Sequence, residues 1–343
     1  MNAMPSIEAL VCAEPGRLQL VQRPAPHCVP GEVLVRPRRI GICGTDYHIF
    51  QGKHPFLKFP RIMGHELAVE VLDAPAGSNL RSGDVCVVNP YIACGTCIAC
   101  IAGRPNCCVK ISVLGVHQDG GMTGMLSIPP GNLLPAGGLS LDACASTEFL
   151  AIGAHAVKRG AVTSADNVLV VGAGPIGLGA VLFARLAGSK VSVFDRDVER
   201  AAAAQAISGA TAIKSVADPT PEMADLTEHN GFDVVFDATG NRQSMEAGFN
   251  FVAHGGRYVL ISVVNDSITF FDPDFHRKEM MLLGSRNATN QDFLQVIEAI
   301  RSGQIQIDRL VTHRTSLTEA ASHIPVWATQ KSGLIKALIE IDD

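Results

Sequence analysis

The stretch VLVVGAGPIGLGA, residues 168–180, constrains this chain more than any other. An apolar run of strand type leads into Gly172, Gly174 and Gly177 in G-x-G-x-x-G spacing. An apolar helical run follows, and Asp195 closes the next strand-like run, VSVFD. Each glycine has its own reason: the first permits a tight turn, the second lets backbone approach a pyrophosphate, and the third lets helix pack on strand. The helix opening at Pro175 and Ile176 would offer free N–H groups and a partial positive charge to the phosphates. Asp195 would accept hydrogen bonds from the adenosine ribose hydroxyls and repel a 2′-phosphate, which favours NAD over NADP, although Arg196 beside it works the other way. The seventeen uncharged residues 168–184 approach the length of a membrane span, but they hold four glycines and a proline. The dinucleotide reading accounts for them better.

The fingerprint sits in a wider pattern. Before about residue 150, short β-branched runs such as EVLVRPRRIGICG, AVEVLDAP and DVCVVNP are bounded by Gly, Pro, Asn or Asp. Around Thr147 the texture turns helical in EFLAIGAHAVKRG, with apolar residues at i, i+3 and i+4. Strands then alternate with helices through KVSVFD, DVVFDATG and GRYVLISV, which argues a parallel sheet covered on both faces. From about Arg286 there is one more helix, DFLQVIEAIRSG, and a closing strand, GLIKALIEI. The plan is a β-rich domain, a doubly wound domain and a C-terminal return to the first. A length of 343 residues suffices for two cores, and 47 % hydrophobic against 18 % charged residues describes a globular chain. The formal net charge of −5, with no basic stripe, gives no footprint for nucleic acid. MNAMPSIEAL lacks the basic start and apolar stretch of a signal peptide, so the expected compartment is the reducing cytoplasm.

In that compartment CGTCIACIAGRPNCC, residues 94–108, needs explaining, because it carries five of the ten cysteines. Reduced thiols argue against a disulfide framework and for a metal site. Cys94, Cys97, Cys100 and Cys108 have C-x2-C-x2-C-x7-C spacing, which fits a closed tetrahedral zinc site. An iron–sulfur cluster is the alternative for four thiolates, and Cys107 is left as a spectator. Upstream, GICGTDYH holds Cys43, Thr45, Asp46 and His48, GHELAVE holds His65 and Glu66, and Glu148 precedes the first helix of the middle segment. One thiolate, one imidazole and one carboxylate make an open, catalytic type of zinc site. Singly, each has a plainer reading. Cys43 could be a small buried hydrophobe like Cys12, Cys28, Cys86 and Cys144, His65 a hydrogen-bonded core histidine, and Glu148 a carboxylate at a helix N-terminus.

Taken in order along the chain, Cys43, GHE, the four-cysteine lobe and the glycine fingerprint resemble the zinc-containing medium-chain dehydrogenase/reductase family. Within it the chain is similar to the sorbitol and threonine dehydrogenase branch. The segments RPNCCVKISVLGVHQDGG and FHRKEMMLLGSRNAT bring it nearer to bacterial L-galactonate and L-idonate 5-dehydrogenase-like enzymes and their starvation-sensing relative. The resemblance implies an α/β chain with a GroES-like catalytic domain over residues 1–152, a Rossmann domain over 153–286, and a return over 287–343. It implies two zinc ions per subunit. The structural ion would lie on Cys94, Cys97, Cys100 and Cys108. The catalytic ion would lie on Cys43 and His65, with a carboxylate from Glu66, Glu148 or both in alternation. Thr45 would receive the alcohol proton, His48 would pass it towards solvent, and Asp46 would steady the site. NAD would meet Ile176, Asp195 and Arg200, backbone around Ile261, Ser262 and Val263, and Arg286 and Asn287. Two departures stand out: GGMTGML replaces an aromatic and an acidic residue, and Phe149 replaces a proline beside Glu148.

The function these residues imply is hydride transfer from a secondary alcohol to NAD, with zinc as the Lewis acid and the substrate in the cleft between the two domains. The expected substrate is a polyol or sugar acid, L-galactonate-like or L-idonate-like, for which Arg286, Lys53 and His54 are the candidate polar partners. Threonine oxidation is the alternative within the enzyme class, and a zinc- and NAD-binding sensor with little turnover is the alternative outside it. No membrane or nucleic-acid partner is expected, and the resemblance implies a homodimer or homotetramer.

Overall fold

The computed structural model describes residues 6–53, 57–214, 217–330 and 333–342. These form two compact units, one running to Glu148 and resuming at Thr289, the other spanning Phe149–Ala288.

The first unit is built on a seven-stranded sheet. Its path runs Leu133–Pro135, Val85–Val88, Glu66–Asp73, Val33–Ile42, Lys336–Glu340 and Val311–Ser316, with Leu126–Ile128 also paired to Val33–Ile42. Val33 and Val35 alternate with half-buried neighbours, so one face of the long strand meets Leu67, Val69, Val71 and Ile128 in the core. Each such fully buried aliphatic side chain contributes about 1.5–3 kcal/mol. The closing strand lies beside Val33–Ile42, antiparallel, with Ala337 opposite Ile42. A helix that the sequence pattern did not single out, Leu317–Thr329, packs Leu317, Ala320, Ile324 and Trp327 on this core. Pro325 inside it obscures the helical signal, since proline in a helix interior removes a backbone donor.

The second unit holds six parallel strands in the order Thr211–Ala212, Lys190–Phe194, Asn167–Val171, Phe232–Asp237, Val252–Leu260, Met281–Gly284. Numbered along the chain within this unit, that is 3-2-1-4-5-6, the doubly wound order whose ligand crevice lies past the carboxyl ends of the strands. Helix Pro175–Leu186 is buried from Gly177 to Ala184, which explains the absence of charge before Arg185 without a bilayer. Among the described residues no helix is long and apolar enough to cross a membrane. A Cβ on Gly153, in helix Thr147–Arg159, would lie 2.3 Å from the Gly179 backbone, so these two helices touch through their glycines.

Candidate active site and metal centres

Cys43 ends the strand Val33–Ile42 and caps helix Gly44–Phe50, while His65 and Glu66 open the neighbouring strand. The register places Gly41 opposite Glu66, and this pairing draws the two segments together. Donor atoms of Cys43, His65 and Glu66 lie within 4.8 Å of one another. The carboxylate fits only because residue 41 has no side chain: a Cβ there would stand 2.0 Å from Glu66 Oε2. Asp46 ties the two ligand-bearing turns together, accepting from Cys43 N at 2.9 Å and Gly64 N at 3.3 Å. Behind them, Gly120 N donates to Ile62 O at 2.8 Å and Gly121 N to Gly64 O at 2.9 Å. A Cβ on Gly120 would be 2.2 Å from Gly64 O. The first two residues of the GGMTGML departure therefore buttress the turn before His65.

The cluster is largely buried and crowded with acidic side chains. His65 is 5 % and Glu66 0 % exposed, and among the described residues both His65 Nδ1 and Glu66 Oε1 lack a hydrogen-bond partner. A buried polar atom left unpaired costs about 1–3 kcal/mol. Burial disfavours the His65 imidazolium. Its bond to Cys43 and the charges of Asp46, Cys43 and Glu148 outweigh that and hold its pKa well above the usual value. Burial pushes the Glu148 carboxyl up to about 7, with the neighbouring charge of Glu66 acting the same way against His65, Tyr91 and Lys336. One thiolate, one imidazole and one carboxylate with free lone pairs fit a zinc ion by donor chemistry, and a divalent cation would relieve the crowding of anions.

The two candidate glutamates are separated by their partners. Glu66 belongs to the donor cluster, and its Oε2 is bonded to the buried Lys336. Glu148 Oε1 is bonded to the Tyr91 hydroxyl, and Glu148 does not join the Cys43, His65 and Glu66 group. Phe149, the second departure, is fully buried and leaves that tie intact. Neither Tyr91 nor Lys336 emerged as a site residue from the sequence. Lys336 had a signal, being the lone charge in the closing run GLIKALI.

The four-cysteine lobe is a second convergence. The sulfurs of Cys94, Cys97, Cys100 and Cys108 lie within 4.8 Å of one another, and Cys97 and Cys100 are 3.4 Å apart. A tetrahedral zinc with 2.3 Å bonds to sulfur requires separations of about 3.8 Å. Backbone and hydroxyl donors at Thr96, with Cys108 and Cys97 N–H, bring the Cys94 thiol down to about 6. Cys108 Sγ accepts from Cys94 N at 3.3 Å and Lys110 N at 3.4 Å. Cys107 is exposed and outside the group, and all ten cysteines are free of disulfides. Tyr91–Ile92 pairs with Ser112–Val113 at the base of the lobe.

In the second unit, Gly172 has a φ of 98°, and a Cβ on Gly177 would sit 1.8 Å from Gly172 O. Gly174 caps the helix that begins at Pro175 and Ile176. Asp195, past strand Lys190–Phe194, accepts from Ala173 N at 2.7 Å and Asp197 N at 2.9 Å, so its carboxylate is locked to the glycine loop. Arg200 is 3.6 Å from Asp197. Ile261 N and Ser262 N point to Asp237 O, at 3.0 and 3.4 Å, and Val263 is 86 % exposed. Arg286, exposed, and Asn287, in the left-handed region, follow strand Met281–Gly284. All of these except Arg200 lie just past the carboxyl ends of parallel strands.

Thr45 Oγ1 is 3.8 Å from Cys43 Sγ, and His48 is exposed three residues on in the same short helix. Lys53 is exposed, and His54 lies outside the described residues.

With this geometry the class can be stated: the chain belongs to the zinc-containing medium-chain dehydrogenase/reductase family. Residues 29–138 match the alcohol dehydrogenase GroES-like domain and residues 175–302 the zinc-binding dehydrogenase domain. The chain is 40 % identical over 98 % of its length, and 99 % of the relative's, to L-galactonate-5-dehydrogenase of Escherichia coli K12. It is 30 % identical to the starvation-sensing protein RspB of the same strain, over 98 % of this chain and all of that one. Among solved structures, the rspB alcohol dehydrogenase of E. coli CFT073 complexed with NADH superposes with a TM-score of 0.92 at 29 % identity. That match covers 98 % of this chain and 99 % of that one.

Proposed function

We propose that this protein is an NAD-dependent zinc dehydrogenase that oxidises a secondary alcohol of a polyol or sugar acid. The observation that carries the reading is the convergence of Cys43 with buried His65 and Glu66, in which His65 Nδ1 and Glu66 Oε1 have no hydrogen-bond partner among the described residues. Cys43, His65 and Glu66 would hold the catalytic zinc, with Glu148 held aside by Tyr91, and the four-cysteine lobe would hold a structural zinc. When bound, the catalytic ion supplies a Lewis acid that makes an alcohol proton easier to remove. Thr45 would accept that proton at Oγ1 while releasing its own hydroxyl proton towards His48, which is exposed on the same face of the helix and would pass it to water. Asp46 keeps Cys43 and His65 at a constant spacing while charge moves.

On the cofactor side, helix Pro175–Leu186 presents its free N–H groups to the pyrophosphate, and no side chain at Gly174 blocks the approach. Asp195, locked to Ala173, presents its remaining lone pairs to the adenosine ribose and repels a 2′-phosphate. Backbone groups of Ile261, Ser262 and Val263, with Arg286 and Asn287, complete the binding set. NAD supplies the hydride acceptor. The 40 % identity to an L-galactonate dehydrogenase supports a sugar acid as substrate, and Arg286 is the cation to test against its carboxylate. The exposed edge strand Met281–Gly284, carrying exposed Met281 and Leu282, supports a homo-oligomer in which two copies pair edge to edge.

The test is NADH formation on aldonates, polyols, threonine and simple alcohols, with and without a zinc chelator. Chelator-sensitive turnover on an aldonate is the expected result. Threonine as the sole good substrate would overturn the substrate class, and NAD binding without any turnover would overturn the enzyme reading.

A further inference from the structure

One buried cation beside the donor cluster has no role in the chemistry above. Lys336 opens the closing strand and is 1 % exposed. Because Ala337 pairs with Ile42, the register sets Lys336 next to the Cys43 turn. Its ammonium donates to the Ile42 carbonyl at 3.2 Å and to Glu66 Oε2. The other oxygen of that carboxylate, Oε1, is buried and has no hydrogen-bond partner among the described residues. Gly41, lacking a side chain, leaves the space that Oε2 occupies. A buried ion pair is a weak device for stability, since apolar residues of the same volume often do as well. A pair retained beside a cluster of metal donors is better explained by what it does to the donor.

We infer that Lys336 is a positioning residue for the catalytic metal. By occupying Oε2 it commits Glu66 to offering one oxygen, Oε1, alongside Cys43 and His65. The third protein ligand is then a single oxygen, and a coordination position stays open for the alcohol. Its positive charge also balances part of the negative charge gathered there by Cys43, Asp46, Glu66 and Glu148. The inference rests on reading Cys43, His65 and Glu66 as a zinc centre.

The experiment compares the full-length wild type with Lys336→Met, Lys336→Arg, Glu66→Gln and the Lys336→Met/Glu66→Gln double variant. Three readouts are taken: zinc bound per chain, zinc affinity by chelator competition, and the d–d absorption of the cobalt-substituted protein. Lys336→Met should keep the lobe zinc and weaken the other ion about 10–100-fold, the usual effect of losing a residue that orients a ligand. Its cobalt spectrum should shift, and Lys336→Arg should restore both readouts. In the Glu66→Gln background the methionine substitution should add nothing further. A Lys336→Met protein with wild-type affinity and spectrum would overturn the inference, as would an undiminished effect of Lys336→Met in the Glu66→Gln protein. A wild type that holds only the lobe zinc would instead sink the zinc-centre reading, and the inference with it. If Lys336→Met fails to fold, Lys336→Gln, which retains a donor to Glu66, should show a smaller shift in the same direction; no shift would count against Lys336.

Discussion

The four-cysteine lobe and the Cys43, His65 and Glu66 cluster belong to the same compact unit but are assembled in opposite ways. The lobe draws all its donors from residues 94–108, three of them half-buried, and its sulfurs are oriented by local backbone N–H groups. The second cluster takes donors from the ends of two strands, buries His65 and Glu66, and relies on Gly41 and Asp46 beside Cys43 and on Lys336 from the closing strand. A site made of one loop gains its order from the ion it closes around. A site made of distant strands is ordered by the fold and can leave a donor position unfilled. The first arrangement suits stability and the second suits chemistry.

That contrast can be broken by experiment. The largest expected effect is on turnover: His65→Ala should remove one zinc and several kcal/mol of transition-state charge stabilisation. Activity should then fall about 10³-fold or more, with little change in thermal unfolding. A variant that loses both ions, or that loses its fold, would show the two sites to be one structural device.

Cys97→Ser should do the reverse. Structural zinc is worth roughly 10–16 kcal/mol of apparent binding energy, so losing even part of it should lower Tm by about 10 °C or more in calorimetry. The protein that remains folded should still hold the other zinc and turn over. Comparable losses of Tm in Cys97→Ser and His65→Ala would erase the distinction.

A smaller change tests how far the fold orders the buried site. Gly41→Ala drives a methyl group into Glu66 Oε2, and overpacking of this kind costs about 1–3 kcal/mol. Denaturant unfolding should show that loss, and metal counting should show the catalytic zinc, not the lobe zinc, weakened.

The smallest effect is chemical. Burial pushes the thiols of Cys12 and Cys86 up to about 11 and that of Cys144 up to about 12, so they stay protonated at pH 8 and inert to alkylation. Cys28, which is exposed and not buried as its type suggested, and exposed Cys107 should react in the zinc-loaded protein, and chelation should add the lobe thiols to them. Mass mapping that finds Cys107 protected and Cys108 modified would exchange their roles.

Much of this was legible in the chain because it is local. The fingerprint from Gly172 to Asp195 encodes turn, strand, helix and the next strand within one segment, so spacing and residue type suffice to read it. The lobe is legible for the same reason, since its four cysteines stand at metal-ligand spacing within fifteen residues. Helix Leu317–Thr329 escaped because Pro325 interrupts its pattern while its apolar face is satisfied by the core. The choice between Glu66 and Glu148 was also illegible, as both are carboxylates at the start of an element.

What the sequence determined by itself was therefore the doubly wound fold around Gly172–Gly177, the grouping of four cysteines in the lobe, and the family to which Cys43, GHE and these motifs belong. What only the tertiary structure decided was how the buried charges are shared out. Tyr91 takes Glu148, 57 residues away, and Lys336 takes Glu66, 270 residues away. Those pairings follow from strand register, which sets Gly41 opposite Glu66 and Ala337 opposite Ile42. Register is a property of the assembled sheet, and no spacing within one segment contains it.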